Sequence, residues 1–316
     1  MIHHVTDKAF KDLALTNMRL LERLAPMQSD IEDLIKRICT KKGTFDEVQY
    51  RKKLQARQQV IEKTTYGDMA SWAYWGSTYP DVEPPAEYVE ACNRDRDDSD
   101  KQTLVELQYD LLKDRLNADF IIVGVNWGGD EQKLYGGKGP TMFRNYHSKS
   151  VTPFYGRKDK ERWTRLFERT PLEGSYMTDA FKGVASTTSA KLASWAHKDA
   201  NRVTVMRDIL REERHLLGAS DHPVCWITVG KSSVVMGEPW NGKRESASPD
   251  GLYLPDDRMV HIPFPLFITR KESSRGGIRP SHIDALSETV TTFCMEHGIP
   301  CSERPFDNVF SSEKRK

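Results

Sequence analysis

The apolar positions along this chain follow two spacings, and each spacing predicts a different element. Over residues 7–63, and again over residues 101–116, apolar side chains recur three and four positions apart, which is typical of amphipathic helices. Ser29 and Glu32 stand at the spacing of a capping box and predict the start of one of these helices. After residue 117 the apolar side chains instead form short continuous runs, and such runs are typical of buried strands.

Four of these runs are predicted to be strands, at residues 120–126, 175–179, 224–230 and 259–262. Helical patterns at residues 202–217 and 281–297 follow the second and fourth strands. Strands that alternate with helices form a parallel sheet with right-handed connections. We therefore expect an α/β fold with a central four-stranded parallel sheet between helices, an α/β/α sandwich. Residues 1–100 are predicted to be a helical N-terminal region and linker, and residues 101–316 the α/β domain.

The composition narrows the class of protein. Hydrophobic residues make up 38% of the 316, enough for a core, and 47 basic residues balance 46 acidic ones, so only a local basic surface could bind nucleic acid. The five cysteines include no C-x-x-C pair, which argues against a disulfide framework or a zinc ribbon and favours a reducing cytoplasm. We expect no export signal, no membrane contact, no metal and no cofactor. His3 and His4 are interpreted as part of a disordered end, not as ligands.

Three of the four predicted strands end in a polar side chain, namely Asn126, Asp179 and His261. Each has an ordinary explanation on its own: Asn126 as a turn residue, Asp179 as a helix N-cap, and His261 as a hydrogen-bonded core histidine. Ligands of parallel sheets bind at the carboxyl ends of the strands. Three polar side chains at one edge therefore favour a shared pocket.

The strand ends also resemble the motifs of a known family. Residues 124–128 (G-V-N-W-G) resemble the first motif of the uracil-DNA glycosylase superfamily in its G-x-N-P-G version. Residues 176–182 (Y-M-T-D-A-F-K) are similar to the second strand of that family, which commonly reads Y-x-T-N, two apolar residues and Lys. Residues 226–233 look like its third strand and turn, and residues 261–266 (H-I-P-F-P-L) resemble its closing H-P-S-P-L loop. The resemblance covers roughly residues 118–298.

The resemblance implies an enzyme that flips a nucleotide out of duplex DNA and hydrolyses its N-glycosidic bond without metal, leaving an abasic site. Asn126 matches the residue that positions the water. His261 matches the histidine that hydrogen-bonds the base carbonyl and stabilises the leaving group. Phe143, after a glycine-rich loop, is the expected ring for stacking of the flipped base.

The expected partner of this monomer is double-stranded DNA. Leu266 or Phe267 would fill the gap that the flipped nucleotide leaves in the duplex, as an apolar wedge between base pairs. Arg270, Lys271 and Arg275 crowd the loop that follows, where backbone phosphates would run.

Departures from the family pattern bear on the substrate. Trp127 replaces the proline of the first motif, and Phe264 replaces the serine of the closing loop. Asp179 stands where uracil-reading members have Asn, and a carboxylate cannot donate to uracil O4 but can accept from the cytosine N4 amine. The expected target is a 5-modified, even glucosylated, cytosine. Such bases occur in some phage genomes, which makes antiviral defence a candidate role.

Two alternatives stay open. In the first alternative, the chain is an inactive relative that binds nucleic acid without cutting it. In the second, it is a doubly wound enzyme whose loop at residues 136–138 cradles the phosphate of a small molecule. The second alternative lacks a G-x-x-x-x-G-K-[ST] or G-x-G-x-x-G pattern.

Overall fold

The computed structural model of the protein describes residues 2–62, 64–73, 98–126, 143, 163–182, 189–240, 242–263 and 277–310. Its helices, numbered in chain order, are α1 (Asp7–Leu15), α2 (Leu20–Leu24), α3 (Gln28–Ile38), α4 (Glu47–Ile61), α5 (Asp98–Leu112), α6 (Ser189–Ala196), α7 (Ala200–Leu216), α8 (Ser233–Met236) and α9 (Pro280–His297). Its strands are β1 (Thr40–Lys41), β2 (Thr44–Phe45), β3 (Ser71–Trp72), β4 (Asn117–Asn126), β5 (Ser175–Phe181), β6 (Cys225–Val229) and β7 (Arg258–Ile262).

A five-stranded sheet in the order β3-β5-β4-β6-β7 lies at the centre of the fold. The pairs β5-β4, β4-β6 and β6-β7 are parallel, and β3 pairs antiparallel with β5. The α/β class is confirmed, but the sheet is mixed and five-stranded, so the expected purely parallel sheet of four strands is not what the structure has. The extra strand was missed because its two residues are too few to show any periodicity.

The alternation of side chains along each strand gives the sheet two faces, each with its own core. Ile121 and Val123 of β4 belong to one core together with apolar side chains of α7, and we call this side the α7 face. Phe120 and Ile122 belong to the other core together with apolar side chains of α9, and we call that side the α9 face. Helices therefore cover both faces of the sheet.

The N-terminal region shares the core of the α7 face. The Phe10 ring of α1 stacks on the Trp72 ring of β3 with centroids 5.9 Å apart, and both side chains are fully buried. Thr6 caps α1 by accepting a hydrogen bond from the Ala9 N–H. In its packing, the region before residue 73 is thus continuous with the sheet. A domain boundary near residue 100 stays a prediction.

Two local predictions about chain geometry are corrected. α3 begins at Gln28, directly after a 3₁₀ turn, so Ser29 lies inside the helix and does not cap it. β5 continues to Phe181, so Asp179 lies within the strand, which removes its interpretation as a helix N-cap.

Gly174 allows two segments of backbone, at residues 174 and 115, to pass close together just before β5 and β4. Gly174 has a φ of +80°, and a Cβ added there would lie 1.8 Å from the carbonyl oxygen of Arg115. Its own carbonyl accepts the Asn117 N–H at 3.1 Å. A side chain at residue 174 would therefore force the two strands apart.

Candidate functional site

The strand order creates a crevice between the carboxyl ends of β4 and β6. β4 leads on to β5 on one side, and β6 leads on to β7 on the other, so the two connections diverge. Ligands of open α/β sheets bind at such a switch point. β4 ends at Asn126. β6 ends in a tight turn at Gly230, which has a φ of 66°, and this turn is fixed by Ser232, whose Oγ accepts the Val229 N–H at 3.0 Å.

The register of the strands separates two of the predicted site residues. Thr178, Val123, Thr228 and His261 lie in one row across β5, β4, β6 and β7, and Thr178 contacts α7. His261 therefore projects from the α7 face, whereas Asp179, the next residue after Thr178, projects from the α9 face. The two strands are also three strand spacings apart, or about 14 Å. Only a ligand that lies across the sheet edge can contact both side chains.

Asn126 and Asp179 lie closer together in the register. Asp179 pairs with Gly124, and Asn126, two residues further along β4, pairs with Phe181. Asp179 is 2% exposed. Gly124, the residue of β4 that pairs with Asp179, has no side chain of its own.

His261 has the environment of a neutral imidazole. Burial lowers its pKa below the ordinary value of 6.5, and His282 and Lys231 lower it further, while Glu238 opposes them. The ring is half-buried, and its Nδ1 lies 3.1 Å from Oγ1 of Thr228. At neutral pH the ring is therefore uncharged.

Thr228 decides what the other ring nitrogen of His261 can do. Its hydroxyl has one hydrogen, which it donates either to the carbonyl oxygen of Val260 at 3.3 Å or to Nδ1 of His261 at 3.1 Å. In the first case Nδ1 carries the ring proton and Nε2 is an acceptor. In the second case Nε2 carries the proton and is a donor, which is the state that a base carbonyl needs.

A buried polar network, which the sequence did not predict, supports the end of β5. Glu213 of α7 accepts hydrogen bonds from the hydroxyls of Tyr176 and Thr178, both at 2.6 Å, and forms an ion pair with Lys182 at 3.0 Å. Lys182 also donates to Thr178. Burial and the nearby Glu213 carboxylate hold the pKa of Tyr176 well above its ordinary value, so its phenol stays a donor. Glu213 was missed because nothing in its own helix distinguishes it from solvent-facing glutamates.

Phe143 lies in the hydrophobic core instead of a pocket. Its ring is 0% exposed and contacts the rings of Phe10 and Trp72, with centroids 4.6 Å and 5.3 Å away. Its backbone, at a φ of 56°, donates to the carbonyl of Gly67 at 2.7 Å. In this conformation neither face of the ring is open to a base, so the structure gives no support to base stacking at Phe143.

The predicted DNA-contacting loop lies outside the described residues. This applies to Leu266, Phe267, Arg270, Lys271 and Arg275. The same is true of Trp127 in the first motif and of residues 136–138. Arg279, on the other side of that loop, immediately precedes α9, and its guanidinium lies 3.1 Å from Nε2 of His282. A cationic group therefore does stand at this end of β7 and α9.

The interpretation of His3 as part of a disordered end is wrong. Its backbone N–H donates to Asp119 at 2.9 Å, and its ring stacks on that of His222. His4 forms a β-bridge with Asn117 at the start of β4. The sequence carried no signal for these contacts because more than a hundred residues separate His3 from Asp119.

None of the helices in the described part of the chain has both the length and the apolar character needed to cross a bilayer.

Comparison with known proteins adds no family assignment. No family model, no curated protein and no solved structure matches this chain.

Proposed function

We propose that this protein is a DNA glycosylase that flips a 5-modified cytosine out of duplex DNA and hydrolyses its N-glycosidic bond. One observation carries the proposal. The four segments that resemble the glycosylase motifs include the last residues of β4 and β7 and most of β5 and β6, and these four strands run parallel as neighbours in the sheet. The carboxyl ends of these four strands therefore lie along one sheet edge, which includes the switch point where ligands of such sheets bind.

The chemistry assigns different tasks to Asn126 and His261. In the transition state the sugar gains oxocarbenium character while the base departs as an anion, so the site must position a water and stabilise negative charge. Asn126, the last residue of β4, positions the water. The neutral ring of His261 donates from Nε2 to the departing base, and Thr228 selects that tautomer by donating to Nδ1.

Asp179 sets the choice of base. In either protonation state a carboxyl group accepts from the exocyclic amine of cytosine, and in the protonated state it also donates to N3. An ionised carboxylate repels the O4 carbonyl of uracil. Activity is therefore directed to cytosine derivatives, and Asp179→Asn shifts it toward uracil.

The test is formation of abasic sites in duplexes that differ at one position. The duplexes contain uracil, cytosine, 5-hydroxymethylcytosine or glucosylated 5-hydroxymethylcytosine, and each is assayed with and without EDTA. Asn126→Ala should lower turnover by about a hundredfold or more while DNA binding survives. Asn201→Ala is the matched control, since Asn201 is an exposed residue of α7.

Several outcomes would reject parts of the proposal. Unchanged turnover in Asn126→Ala removes that residue from the site. Uracil release by the wild type, with the cytosine series untouched, rejects the role of Asp179. Thr228→Val should lower turnover about tenfold or more, because Nδ1 of His261 loses its donor.

A nucleic-acid-binding protein without glycosylase activity is the second candidate. Two observations favour it: Asp179 and His261 project from opposite faces of the sheet, and Phe143 is buried. Duplex binding with no abasic product on any of the four substrates would establish this alternative.

A further inference from the structure

A second cluster of polar side chains lies at the amino edge of the sheet, away from the proposed glycosylase site. His3, Asp119 and His222 each offer one ligand atom, and these atoms all lie within 4.8 Å of one another. Asp119 and Asn126 are separated along β4 by seven residues, or about 23 Å of strand. The cluster therefore belongs to neither of the functions considered above.

The backbone holds the three residues in place. The carbonyl of His3 accepts the Ala118 N–H at 2.9 Å, which fixes the segment before α1 against β4. The carbonyl of His222 accepts from the Arg214 guanidinium at 2.9 Å, and Arg214 is itself held by a buried ion pair with Asp257 at 2.7 Å. Asp119 lies within β4. Three separate parts of the chain thus meet in a fixed arrangement.

The side chains present lone pairs of a kind that binds metals. The carboxylate of Asp119 is 2% exposed, and its Oδ1 lies 2.6 Å from Nδ1 of His3. The side chain of His222 is 12% exposed, and its Nε2 is buried with no hydrogen-bond partner among the described residues. A buried imidazole nitrogen without a partner is a costly feature that a bound ion would satisfy.

We propose that His3, Asp119 and His222 bind a divalent transition metal of the Zn²⁺ class. The ion takes the place of the hydrogen between Nδ1 of His3 and Oδ1 of Asp119, and the neutral imidazole of His3 then carries its ring hydrogen on Nε2. Ligand bonds of about 2.0–2.2 Å to a tetrahedral ion place the ligand atoms about 3.3 Å apart, within the spread of the cluster. The rings of His3 and His222 stack with centroids 4.0 Å apart and an interplanar angle of 16°. One ring must turn out of this stack to direct its nitrogen at the ion.

The kinds of ligand atom in the cluster determine which metals can bind, and the number of ligands leaves one coordination position open. Two imidazoles and one carboxylate suit Zn²⁺, Co²⁺, Fe²⁺ or Ni²⁺, whereas Mg²⁺ and Ca²⁺ prefer oxygen ligands alone. Three protein ligands leave a fourth position for water or another ligand. Asp119 also lines an open groove of about 550 Å³, together with His4, Arg115 and Arg169. The ion would therefore be accessible from solvent.

The experiment titrates metal into the full chain without an affinity tag, because added histidines would bind the same ions. Calorimetry with Zn²⁺ and visible absorption with Co²⁺ report binding, and thermal unfolding reports the linked stabilisation. The test variants are His3→Ala and His222→Gln. The matched control is His4→Ala, which removes an exposed imidazole next to His3 that is not part of the cluster.

The expected result is one Zn²⁺ bound per chain, a Tm at least about 3 °C higher with Zn²⁺, and no response to Mg²⁺. His3→Ala and His222→Gln should weaken binding by at least about tenfold and lose the rise in Tm, whereas His4→Ala should behave as the wild type. The proposal is overturned if the wild type binds no Zn²⁺, if either test variant keeps wild-type affinity, or if His4→Ala weakens binding as much as His3→Ala. Because His3 is half-exposed, its replacement should leave the fold intact, which circular dichroism checks.

Discussion

Replacement of Lys182 by methionine should destabilise the protein strongly, because it leaves a buried carboxylate without its cation. The side chain of Lys182 is 0% exposed, and that of its partner Glu213 is 2% exposed. Methionine fills a similar volume, so the change removes charge more than packing. The hydroxyls of Tyr176 and Thr178 continue to donate to Glu213 at 2.6 Å, so some stabilisation of the carboxylate remains.

The magnitude follows from these contacts. Removal of one partner from a buried ion pair costs about 3–5 kcal/mol, and the two remaining hydroxyl donors bring the value toward the lower end, about 3 kcal/mol. The free energy of unfolding of a typical domain is only about 5–15 kcal/mol, so this loss is a large share of it. In the double variant Lys182→Met/Glu213→Gln no charge is left, and the glutamine oxygen still accepts from both hydroxyls. We expect the double variant to be more stable than Lys182→Met by about 2 kcal/mol.

The assay is urea denaturation followed by both tryptophan fluorescence and circular dichroism, so that coincident curves verify two-state unfolding. Lys113→Met is the control, because Lys113 pairs with Asp110 on the surface and its loss should leave the unfolding midpoint at the wild-type value. The reasoning is refuted if Lys182→Met has the same unfolding midpoint in urea as the Lys113→Met control. It is also refuted if the double variant is as unstable as the sum of the two single variants, since the coupling would then be absent.

Three further predictions concern the proposed activity and the fold. Burial lowers the pKa of His261 below its ordinary value of 6.5, so kcat/KM for base release should fall on the acid side with a midpoint below pH 6.5. A midpoint at about pH 7.5 would exclude a neutral His261 as the donor. Replacement of both Arg270 and Arg275 by alanine should weaken DNA binding equally on all sequences and reduce the salt slope by up to about two units, and an unchanged slope would place the DNA elsewhere. Gly174→Ala should destabilise the protein more than Gly43→Ala. Both glycines have a left-handed φ, which costs alanine about 1–2 kcal/mol, but of these two positions only Gly174 would bring the new Cβ against a backbone atom. Equal unfolding midpoints for the two variants would contradict this prediction.

The sequence predicted the main elements of the sheet and its helices because burial leaves a local pattern. β6 and β7 lie within one residue of their predicted bounds, β4 begins three residues earlier than predicted, and α9 spans Pro280–His297 where residues 281–297 were expected. Each of these segments buries enough side chains for periodicity to be visible. β3 contributes only two residues, Ser71 and Trp72, and so leaves no such pattern.

The tertiary structure alone decided which side chains meet. Apolar runs identify strands, but the pairing register decides the face from which each side chain projects, and a shift of one residue reverses it. Asp179 and His261 both lie near the carboxyl ends of their strands, yet the pairing register directs them to opposite faces of the sheet.

Contacts between residues far apart in the sequence account for the buried polar groups that the sequence did not predict. Glu213 reaches Tyr176 across 37 residues, and His3 reaches Asp119 across 116. A polar side chain can be buried only where partners from other segments satisfy it, and the identity of those partners depends on how the whole chain packs. The sequence by itself thus determined four strands of the sheet and, for β4, β6 and β7, their ends to within a residue. The buried network behind β5 and the histidine cluster at the amino edge exist only because the fold brings distant polar groups together.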